Sequence, residues 1–436
     1  MNDDVKLVYD AMVAKQPRIQ RLYAYFDGYE PLRYSTERLE AAFHGLRVNW
    51  RQNWSSVVVN VVLERLILRG WDVGGAEELN NVLDGVWESQ QVSWDAADVH
   101  LSTLVTGDGY IIAWPSESGD VEVYWNDSRN CHVIYDAKSP KRKRLAAKWW
   151  DGEDRRRYLN LYYPDRIEHW VSRSTSTSIR SAATFQLEEA EENPYGEIPV
   201  FHFRRERRGS QSELDAVIPL HDSANKLVAD MMIAGEFAAF RQRVVISDAD
   251  TTSLKNSPNE IWTLPSGSSV AEFAASELQN YLKAIDQMVS SLAIISRTPA
   301  HYFYNQGANI SGDALLTMEA PLTAKVERYQ ERLGVTWKDL GRFILRLRGY
   351  DVAMTEIFPV WASAETVQPE AQARVREIGV KTGLPLTTLL RREGWSNEEI
   401  QQMWDDAQEQ AASQVNYTDL LLEQARREME HDGVEG

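Results

Sequence analysis

Two short motifs have the residue types of an acylating serine enzyme. Ser223 and Lys226 form an S-x-x-K pattern, and Lys381, Thr382 and Gly383 form a K-T-G. In penicillin-binding enzymes these motifs belong to a serine nucleophile and its lysine partner. Here the S-x-x-K falls inside a predicted helix with Lys226 toward solvent, the K-T-G ends a predicted helix, and an S-D-N element is missing. We therefore expect no catalytic residues and no enzyme activity.

A second candidate chemistry is metal binding. Asp248 and Asp250 lie in "SDADTTS", and paired carboxylates are suitable ligands for a divalent cation. An ordinary turn has the same composition, so the turn is the favoured interpretation. The eight histidines are scattered, and we expect His44, His100 and His221 to pack or lie at the surface. We predict no metal site and no cofactor.

The composition argues against nucleotide hydrolysis and against a broad grip on nucleic acid. The dipeptide Gly-Lys does not occur, so there is no P-loop. The formal net charge is -18, whereas proteins that hold a duplex across a broad surface are basic. The basic runs Lys141–Arg144 and Arg204–Arg208 border the predicted sheet region. They form either a solvated face or a contact to an acidic partner or to DNA phosphates.

The single cysteine, Cys131, cannot form an internal disulfide, which indicates a reducing compartment. The N-terminus "MNDDVKLVYDAMVAKQP" is charged and has no signal-peptide core. No apolar run approaches the ~18 residues that a membrane span needs. We expect a cytosolic chain without a membrane segment.

The first hundred residues are predicted to be mostly helical. One helix would be broken at Pro17 and end near Gly28, a second would be capped by Gly70, and a third run would continue to the turn at Gly107-Asp108-Gly109. Short β-branched and aromatic runs then predict an antiparallel meander over about 110–172.

The segment "SRSTSTSIRSAATFQLEEAEENPYGEIP" is polar and breaker-rich, which predicts a mobile loop. "IPVFHFRRERR" is predicted to close the sheet region. Helical patterns return over about 212–240 and 276–295, and they flank a compact strand-and-turn insert. Pro219 moves the expected start of the first of these helices toward Leu220.

A loop of small residues then leads into an unusually long helix. The stripe spacing predicts about 37 residues, roughly 55 Å of helix. Ser311 is the expected N-cap, Gly349 the stop, and Pro321 the position of a bend. The apolar stripe consists of Leu315, Met318, Leu322, Val326, Tyr329, Leu333, Trp337, Leu340, Ile344 and Leu347.

The remaining chain begins with a strand-like "VAMTEIFPVWA" and continues with short helices. Gly383 is the expected stop of the first helix and Ser396 the expected N-cap of the last. The charged end, "LLEQARREMEHDGVEG", is expected to fray.

The order of these parts resembles phage portal proteins of the SPP1-like family. "SSVVVNVVLERLILRGW" resembles the early helix of that family, and "GDGYIIAWPSESGDVEVYW" with "VIYDAKSP" is similar to its wing sheet. "RTPAHYFYNQGANISGDALLTMEAPLTAKV" resembles its joint of a turn, a loop and a long helix. "IFPVWASAETVQPEAQARVREIGVKTGLPLTTLLRREGWSNEEI" is similar to its C-terminal region. The resemblance spans nearly the whole chain.

The resemblance implies an α+β, mainly α-helical portal fold with a β-rich wing, a helical stem, a small β-containing clip, a long kinked helix and a helical crown. It assigns the wing to 1–211, the stem helices to 212–240 and 276–297, the clip to 241–275, the tunnel loop to 298–312, the long kinked wing helix to 313–349 and the crown to 350–436.

The resemblance also implies roles for single residues, with Pro321 at the kink of the long helix. The tunnel loop would place these residues against DNA: Tyr304, Asn305, Gln306, Gly307, Asn309, Ser311 and Gly312. The stem would contribute these to the channel: Lys226, Asp230, Glu236 and Lys283. The clip would dock the packaging terminase through Arg241, Arg243, Asp248, Asp250, Lys255 and Asn259. From the residues themselves, the loop "YNQGANISG" has no formal charge, which suits contact with moving DNA without a grip on phosphate.

Partners and location follow from the same resemblance. The chain would form a twelve-subunit ring at one capsid vertex, a channel for DNA packaging and ejection. Its other partners would be the large terminase subunit, a head completion or adaptor protein, the major capsid and scaffolding proteins, and the double-stranded DNA in the channel, with no membrane. It would belong to the virion after assembly in the host bacterial cytoplasm, and the terminase would hydrolyse the ATP.

Two alternatives stay open at this point. Another non-enzymatic virion assembly or adaptor protein would share the acidic composition, but it does not explain two helices around an insert followed by a long rod. A hydrolase would use Ser223 and Lys226, and an acylating probe whose labelling is lost in Ser223→Ala would support it.

Overall fold

The structure is a computed structural model in which helices combine with antiparallel sheets. The described residues are 3–30, 52–74, 76–116, 118–179, 181–207, 209–239, 243–247, 266–272, 277–304, 312–365, 369–393, 395 and 399–410. The helices are α1 (Asp3–Asp27), α2 (Trp54–Leu63), α3 (Glu77–Ser89), α4 (Val92–Thr106), α5 (Ile218–Ala239), α6 (Leu278–Ser296), α7 (Gly312–Leu347), α8 (Pro369–Lys381), α9 (Leu386–Arg392) and α10 (399–410). The strands are β1 (Leu68–Asp72), β2 (Asp108–Pro115), β3 (Val121–Asn126), β4 (Cys131–Tyr135), β5 (Lys143–Asp151), β6 (Arg156–Tyr162), β7 (Arg166–Thr175), β8 (Phe185–Glu192), β9 (Val200–Arg204), β10 (Arg243–Ile246), β11 (Ser269–Glu272) and β12 (Phe358–Trp361).

Helix α1 runs without interruption through Pro17, so the predicted break there is wrong. A proline in a helix leaves the carbonyl four residues earlier without its N–H partner. Here that carbonyl belongs to Val13, and both Pro17 and Val13 lie on the exposed side of the helix. Water can therefore hydrogen-bond to the carbonyl, and the buried side of α1 keeps its contacts.

The helix predicted to end at Gly70 instead ends at Leu63, and β1 follows it. Strand β1 pairs antiparallel with β12, which lies far along the chain. Trp71 in β1 is buried, and its indole N–H donates to the carbonyl of Trp337 at 2.9 Å. The helical prediction failed here because this strand is stabilised by a distant partner and not by a local pattern.

The helical run predicted up to residue 107 is divided into α3 and α4. Gln91 separates them with a φ of +53°, a left-handed conformation that cannot continue a right-handed helix. The turn predicted at Gly107 is confirmed, with a φ of +93°. Asp108 and Gly109, however, already belong to strand β2.

Gly107 is a position where a side chain cannot be accommodated. A Cβ built there would lie 2.5 Å from the amide nitrogen of Gln211 and 2.8 Å from the carbonyl carbon of Ser210. We expect Gly107→Ala to lower the free energy of unfolding by about 1–3 kcal/mol, because backbone strain and the clash act together. Urea titration measures this change.

Gly85 in α3 is the matched control. A Cβ there meets nothing within 4 Å, so Gly85→Ala should raise the free energy of unfolding by roughly 0.5–1 kcal/mol. Equal effects of the two substitutions would contradict the proposed clash at Gly107.

The β-rich region forms two antiparallel sheets in place of the single predicted meander. One has the order β3-β2-β9 and the other β4-β5-β6-β7-β8. As predicted, the segment containing β9 closes the first sheet, with Tyr110 opposite His202. The two sheets share a buried cluster that includes Ile112, Val133 and Ala146. The chain therefore changes sheets between β3 and β4.

Strand β8 lies in the segment predicted to be a mobile loop, and that prediction is wrong over this strand. It pairs with β7, with Glu191 opposite Ile167 and Phe185 opposite Ser172. Phe185 is buried against α1, whereas the other side chains of β8 are exposed. An edge strand is held by backbone hydrogen bonds to one neighbour, and its side chains can be polar. The polar side chains of β8 therefore gave no alternating hydrophobic pattern that would have predicted a strand.

Helices α5 and α6 pack against each other and flank the ribbon β10-β11. Their buried contacts include Ala224, Ile285 and Leu292. Helix α5 begins at Ile218, before Pro219, because proline is tolerated in the first turn of a helix. The described part of the insert has the predicted strand character.

Helix α7 is the long rod that the apolar spacing predicts, with 36 residues. Gly349 follows it at a φ of +87°, and the Tyr350 N–H donates to the Leu345 carbonyl at 2.9 Å, which confirms the predicted stop. The helix continues through the exposed Pro321, and the bend there stays a prediction. The expected N-cap, Ser311, lies outside the described residues. The buried part of the stripe is Leu322, Val326, Tyr329, Leu333, Trp337, Leu340 and Ile344.

Short helices α8, α9 and α10 follow β12, the strand expected in "VAMTEIFPVWA". Gly383 at a φ of +90° lies just after α8, as predicted. Ser396 and the charged end lie outside the described residues.

Candidate functional site at the base of the long helix

Two buried groups of charged side chains lie under the first half of α7. The Glu213 cluster comprises Glu213, Lys325, Arg205 and Tyr329, and the Glu319 cluster comprises Glu319, Arg65, His301 and Tyr302. The two carboxylates are 6% and 3% exposed. Buried charges at this depth require close partners, so the clusters show which elements must stay together.

The Glu213 cluster joins four parts of the fold. The ammonium of Lys325 lies 2.7 Å from the Glu213 carboxylate, and Arg205 Nε donates to it at 2.9 Å. The Tyr329 hydroxyl donates to the same carboxylate. Lys325 also donates to the carbonyl of Ser296, the last residue of α6, at 2.8 Å. The rod is thereby connected to the end of α6, the end of β9 and the segment before α5.

The electrostatics of this cluster keep Glu213 ionised. Burial by itself would raise the pKa of the carboxyl, but the cations Lys325 and Arg205 outweigh it and hold the pKa below its ordinary value. Burial, and then the negative charge of Glu213, raise the pKa of the Tyr329 hydroxyl well above its usual value. At neutral pH the tyrosine is therefore a hydrogen-bond donor to a charged carboxylate.

The Glu319 cluster connects the segment before the rod to the turn after α2 and to the rod itself. Arg65 Nη2 lies 2.8 Å from one oxygen of Glu319, and His301 Nε2 lies 2.8 Å from the other. Arg65 also donates to the hydroxyl of Tyr302 at 2.7 Å. His301 and Tyr302 belong to a short 3-10 turn after α6, so this turn is attached at several points.

The predicted tunnel loop begins and ends on this framework. The Tyr304 hydroxyl donates to the Asp286 carbonyl in α6 at 2.8 Å, and its ring packs on the α5–α6 contact. Burial raises the pKa of the Tyr304 hydroxyl. Gly312 is the first residue of α7. The other predicted loop residues lie outside the described residues: Asn305, Gln306, Gly307, Asn309 and Ser311.

The predicted stem residues are only partly brought together. Lys226 and Asp230 form an ion pair at 2.6 Å one helical turn apart on α5. Lys283 is exposed on α6. Glu236 lies in α5, and only its backbone is described.

Most predicted clip residues lie outside the described residues: Arg241, Asp248, Asp250, Lys255 and Asn259. Arg243 is the first residue of β10, and the antiparallel register places its backbone opposite that of Glu272. Across the part of the chain that the structure describes, no group of three His, Cys, Asp or Glu side chains is placed to hold a metal ion.

The S-x-x-K pattern has no described contact between its two functional groups. The Ser223 hydroxyl donates to the Pro219 carbonyl at 2.8 Å, while the Lys226 ammonium pairs with Asp230. The arrangement gives Ser223 no base among its described contacts. Lys381 ends helix α8, as predicted.

Two of the singled-out histidines pack in the interior, as predicted. His221 Nδ1 lies 3.1 Å from the Ser55 hydroxyl. His100 lies 3.1 Å from the Leu66 carbonyl through Nδ1, and its Nε2 accepts from the Trp337 indole at 3.0 Å. His44 lies outside the described residues.

The sequence analysis did not identify the residues of the two clusters. Glu319 and Lys325 stand three residues before and after Leu322, so both lie along the buried stripe of α7. A charged residue at the spacing of a buried apolar stripe indicates a buried ion pair, and this signal was present in the sequence. Glu213, Arg65 and His301 have no comparable signal, because their partners lie far along the chain.

None of the helices in the described ranges is both long enough and apolar enough to cross a membrane.

Comparisons with known proteins show similarity to phage portal proteins. A family model described as "Phage portal protein, SPP1 Gp6-like" matches residues 6–414. The portal protein of Mycobacterium phage D29 is 22% identical over 385 residues, covering 80% of this chain and 77% of that protein. The portal protein of Mycobacterium phage L5 is 30% identical over 146 residues, covering 31% of this chain and 30% of that protein.

Solved structures show a weaker likeness. A chain in the neck of an empty GTA particle has a TM-score of 0.46 at 14% identity, over 79% of this chain and 90% of that one. A chain in the virion of the native gene transfer agent particle has a TM-score of 0.44 at 13% identity, over 81% and 91%.

Proposed function

Because the chain belongs to the SPP1 Gp6-like family of phage portal proteins, we propose that it forms a twelve-subunit ring at one vertex of a phage head. The ring encloses the channel through which DNA is packaged and later ejected. Phage portal proteins are virion components. Within the virion this chain is a structural part of the channel, and hydrolysis of ATP belongs to the separate terminase.

The parts of the fold divide among the regions of the ring. Residues 1–211 form the wing with 313–349, and 212–240 and 276–297 form the stem. Residues 241–275 form the clip, 298–312 the tunnel loop and 350–436 the crown. The clip docks the large terminase subunit and later a head completion or adaptor protein. The wing and crown face the major capsid and scaffolding proteins during assembly in the host bacterial cytoplasm.

The observation that carries this proposal is the anchoring of the loop region. Tyr304 attaches the chain to α6 before the loop, and the rod that follows the loop is held by the Glu213 and Glu319 clusters. An uncharged segment between two such anchors suits contact with DNA that moves past it, because it offers no cation to hold a phosphate. A stiff rod transmits displacement of the loop to the wing.

The native mass of the purified chain tests the ring. Twelve copies of a 49.8 kDa chain give about 600 kDa, which mass photometry resolves, and negative-stain images of the same sample should show a central hole. A chain that stays monomeric or dimeric alone and with capsid and adaptor proteins would contradict the proposal and favour the adaptor alternative.

The tunnel-loop assignment predicts a defect in packaging without a defect in assembly. We expect Gly307→Asp with Gly312→Asp to leave the ring intact but to reduce packaged DNA at least about tenfold, because carboxylates added to the proposed tunnel loop would repel the phosphates of passing DNA. Nuclease-protected DNA in complemented particles measures the effect.

The matched control adds the same charge elsewhere. Asn81→Asp with Ser89→Asp lies on the exposed face of α3 and should leave packaging unchanged. Normal packaging by the loop variant, or the same loss in the control, would contradict the assignment.

A further inference from the structure

The two basic runs of the sequence meet at one corner of the five-stranded sheet. The first contributes the exposed turn between β4 and β5, and the second begins at Arg204, the last residue of β9 in the three-stranded sheet. Arg204 lies over the ring of Tyr135, the last residue of β4, at 4.2 Å from its centroid. We define the basic corner as Lys138, Lys141, Arg142, Arg204 and Arg207. Among the described residues, none of these five has a carboxylate within ion-pair distance.

The opposite edge of the same sheet is acidic. Strand β8 ends the order β4-β5-β6-β7-β8. We define the acidic edge as the exposed side chains Glu188, Glu189, Glu191 and Glu192 on this strand. Glu191 lies 3.4 Å from His169, and in the described part of the chain no Lys or Arg forms an ion pair with the other three.

The strand registers place both features at the same end of the sheet. One lateral row runs from Val133 through Ala146, Tyr162 and Ile167 to Glu191. The basic turn follows the end of β4, close to this row, and the acidic residues occupy the other end of the row on β8. Four steps of about 4.8 Å between strands separate the two edges by roughly 19 Å.

Helix α1 covers the start of the β4 edge. Lys15 of α1 donates to the carbonyl of Cys131, and Gln16 donates to that of Arg129 at 2.6 Å. These carbonyls belong to the first residue of β4 and to a residue just before the strand. The basic turn follows the other end of β4, where Lys138, Lys141 and Arg142 are exposed, so the charged side chains of the corner are available to a partner.

A ring requires two different surfaces on each subunit that complement each other in a head-to-tail manner. We propose that the acidic edge of one copy docks against the basic corner of the next copy in the ring. This inference rests on the proposed ring. The two charged surfaces lie at the same end of one sheet, so the acidic edge of one copy can meet the basic corner of a neighbour that has the same orientation. Two copies placed with their acidic edges together would repel each other.

Charge reversal tests the pairing. Glu189→Lys with Glu192→Lys reverses the acidic edge, and Lys141→Glu with Arg142→Glu reverses the basic corner. Each pair should raise the concentration at which half of the chain is in rings at least about tenfold, as measured by mass photometry. A chain carrying all four changes restores opposite charges at the contact and should return to within about threefold of the wild type.

The matched control is Glu122→Lys with Glu153→Lys, two exposed positions on β3 and on the turn between β5 and β6. It changes the net charge as much as the acidic-edge variant and should assemble like the wild type. Unchanged assembly of both reversed variants, equal weakening by the control, or no recovery in the fourfold variant would overturn the docking. A wild-type chain that never forms rings would overturn the ring as well.

Discussion

Replacing Glu213 with glutamine should lower the free energy of unfolding by about 3–5 kcal/mol. The substitution keeps the shape of the side chain but removes the charge that compensates Lys325 and Arg205. Lys325 is 9% exposed and cannot recover its hydration in place, so the folded state contains an uncompensated cation. Chemical denaturation at neutral pH measures the loss.

Glu206 provides the matched control. It pairs with Arg332 at 2.6 Å, but the two side chains are 26% and 39% exposed. Glu206→Gln should therefore cost less than about 1 kcal/mol. The double variant Glu213→Gln with Lys325→Met should recover part of the stability lost in Glu213→Gln, because it removes one of the two unpaired cations. A loss below about 1 kcal/mol in Glu213→Gln would contradict the role of the cluster.

The same cluster predicts a change in acid stability. The pKa of Glu213 is below its ordinary value in the fold, so the unfolded chain takes up this proton at higher pH than the folded chain does. The stabilisation from Glu213 is thus present above the unfolded pKa of about 4.3 and is lost as the pH falls through the lower folded pKa. Glu213→Gln should accordingly lose less stability than the wild type on acidification below about pH 5.

The second large effect is a pH dependence that originates at His100. This imidazole is 1% exposed, and burial lowers its pKa to about 3. Its Nε2 accepts from Trp337 and its Nδ1 lies against the Leu66 carbonyl, so the neutral ring satisfies both contacts. A proton on Nε2 would face the indole N–H and abolish that hydrogen bond.

The sign of this pH dependence follows from linkage. Between pH 6.5 and about pH 3, His100 is protonated in the unfolded chain but neutral in the folded chain. The free energy of unfolding therefore falls as the pH falls. From pH 6.5 to pH 4 the contribution amounts to about 3 kcal/mol. His100→Gln should remove this part of the slope, as measured by urea titrations across the range.

Measurements at pH 8 separate the two effects of His100→Gln on the free energy of unfolding, which are the change in packing and the loss of a titrating group. At that pH the histidine is neutral in both states, so the difference between the wild type and His100→Gln gives the cost of repacking alone. Parallel pH profiles of the two proteins, displaced only by this constant, would contradict the assignment.

The features predicted correctly from the sequence depend on neighbouring residues. The rod α7 was evident from a stripe that repeats every three or four residues, because each residue of a helix contacts others one turn away. Its end at Gly349 required only a left-handed turn, which glycine adopts easily. The order of helices, sheet strands and insert also indicated the family, since that order is a property of the chain itself.

The features that the sequence did not reveal depend on residues far apart in the chain. Strand β1 is a strand because β12 pairs with it, and β8 is a strand because β7 pairs with one of its sides. Neither has a pattern that a local window distinguishes from a helix or a loop.

The candidate site divides in the same way. The helices on either side of the predicted tunnel loop were evident from spacing alone, and the role of the loop itself stays a prediction. Which charges hold the rod was decided by the tertiary structure: Glu213 and Lys325 are ordinary charged residues in the sequence and become a buried pair at 2.7 Å only when α7 packs beside the end of α6. The basic runs likewise came together where the two sheets pack, with Arg204 of β9 over the ring of Tyr135 of β4. Burial and long-range pairing are set by the whole fold, whereas periodicity is set by the backbone of each segment.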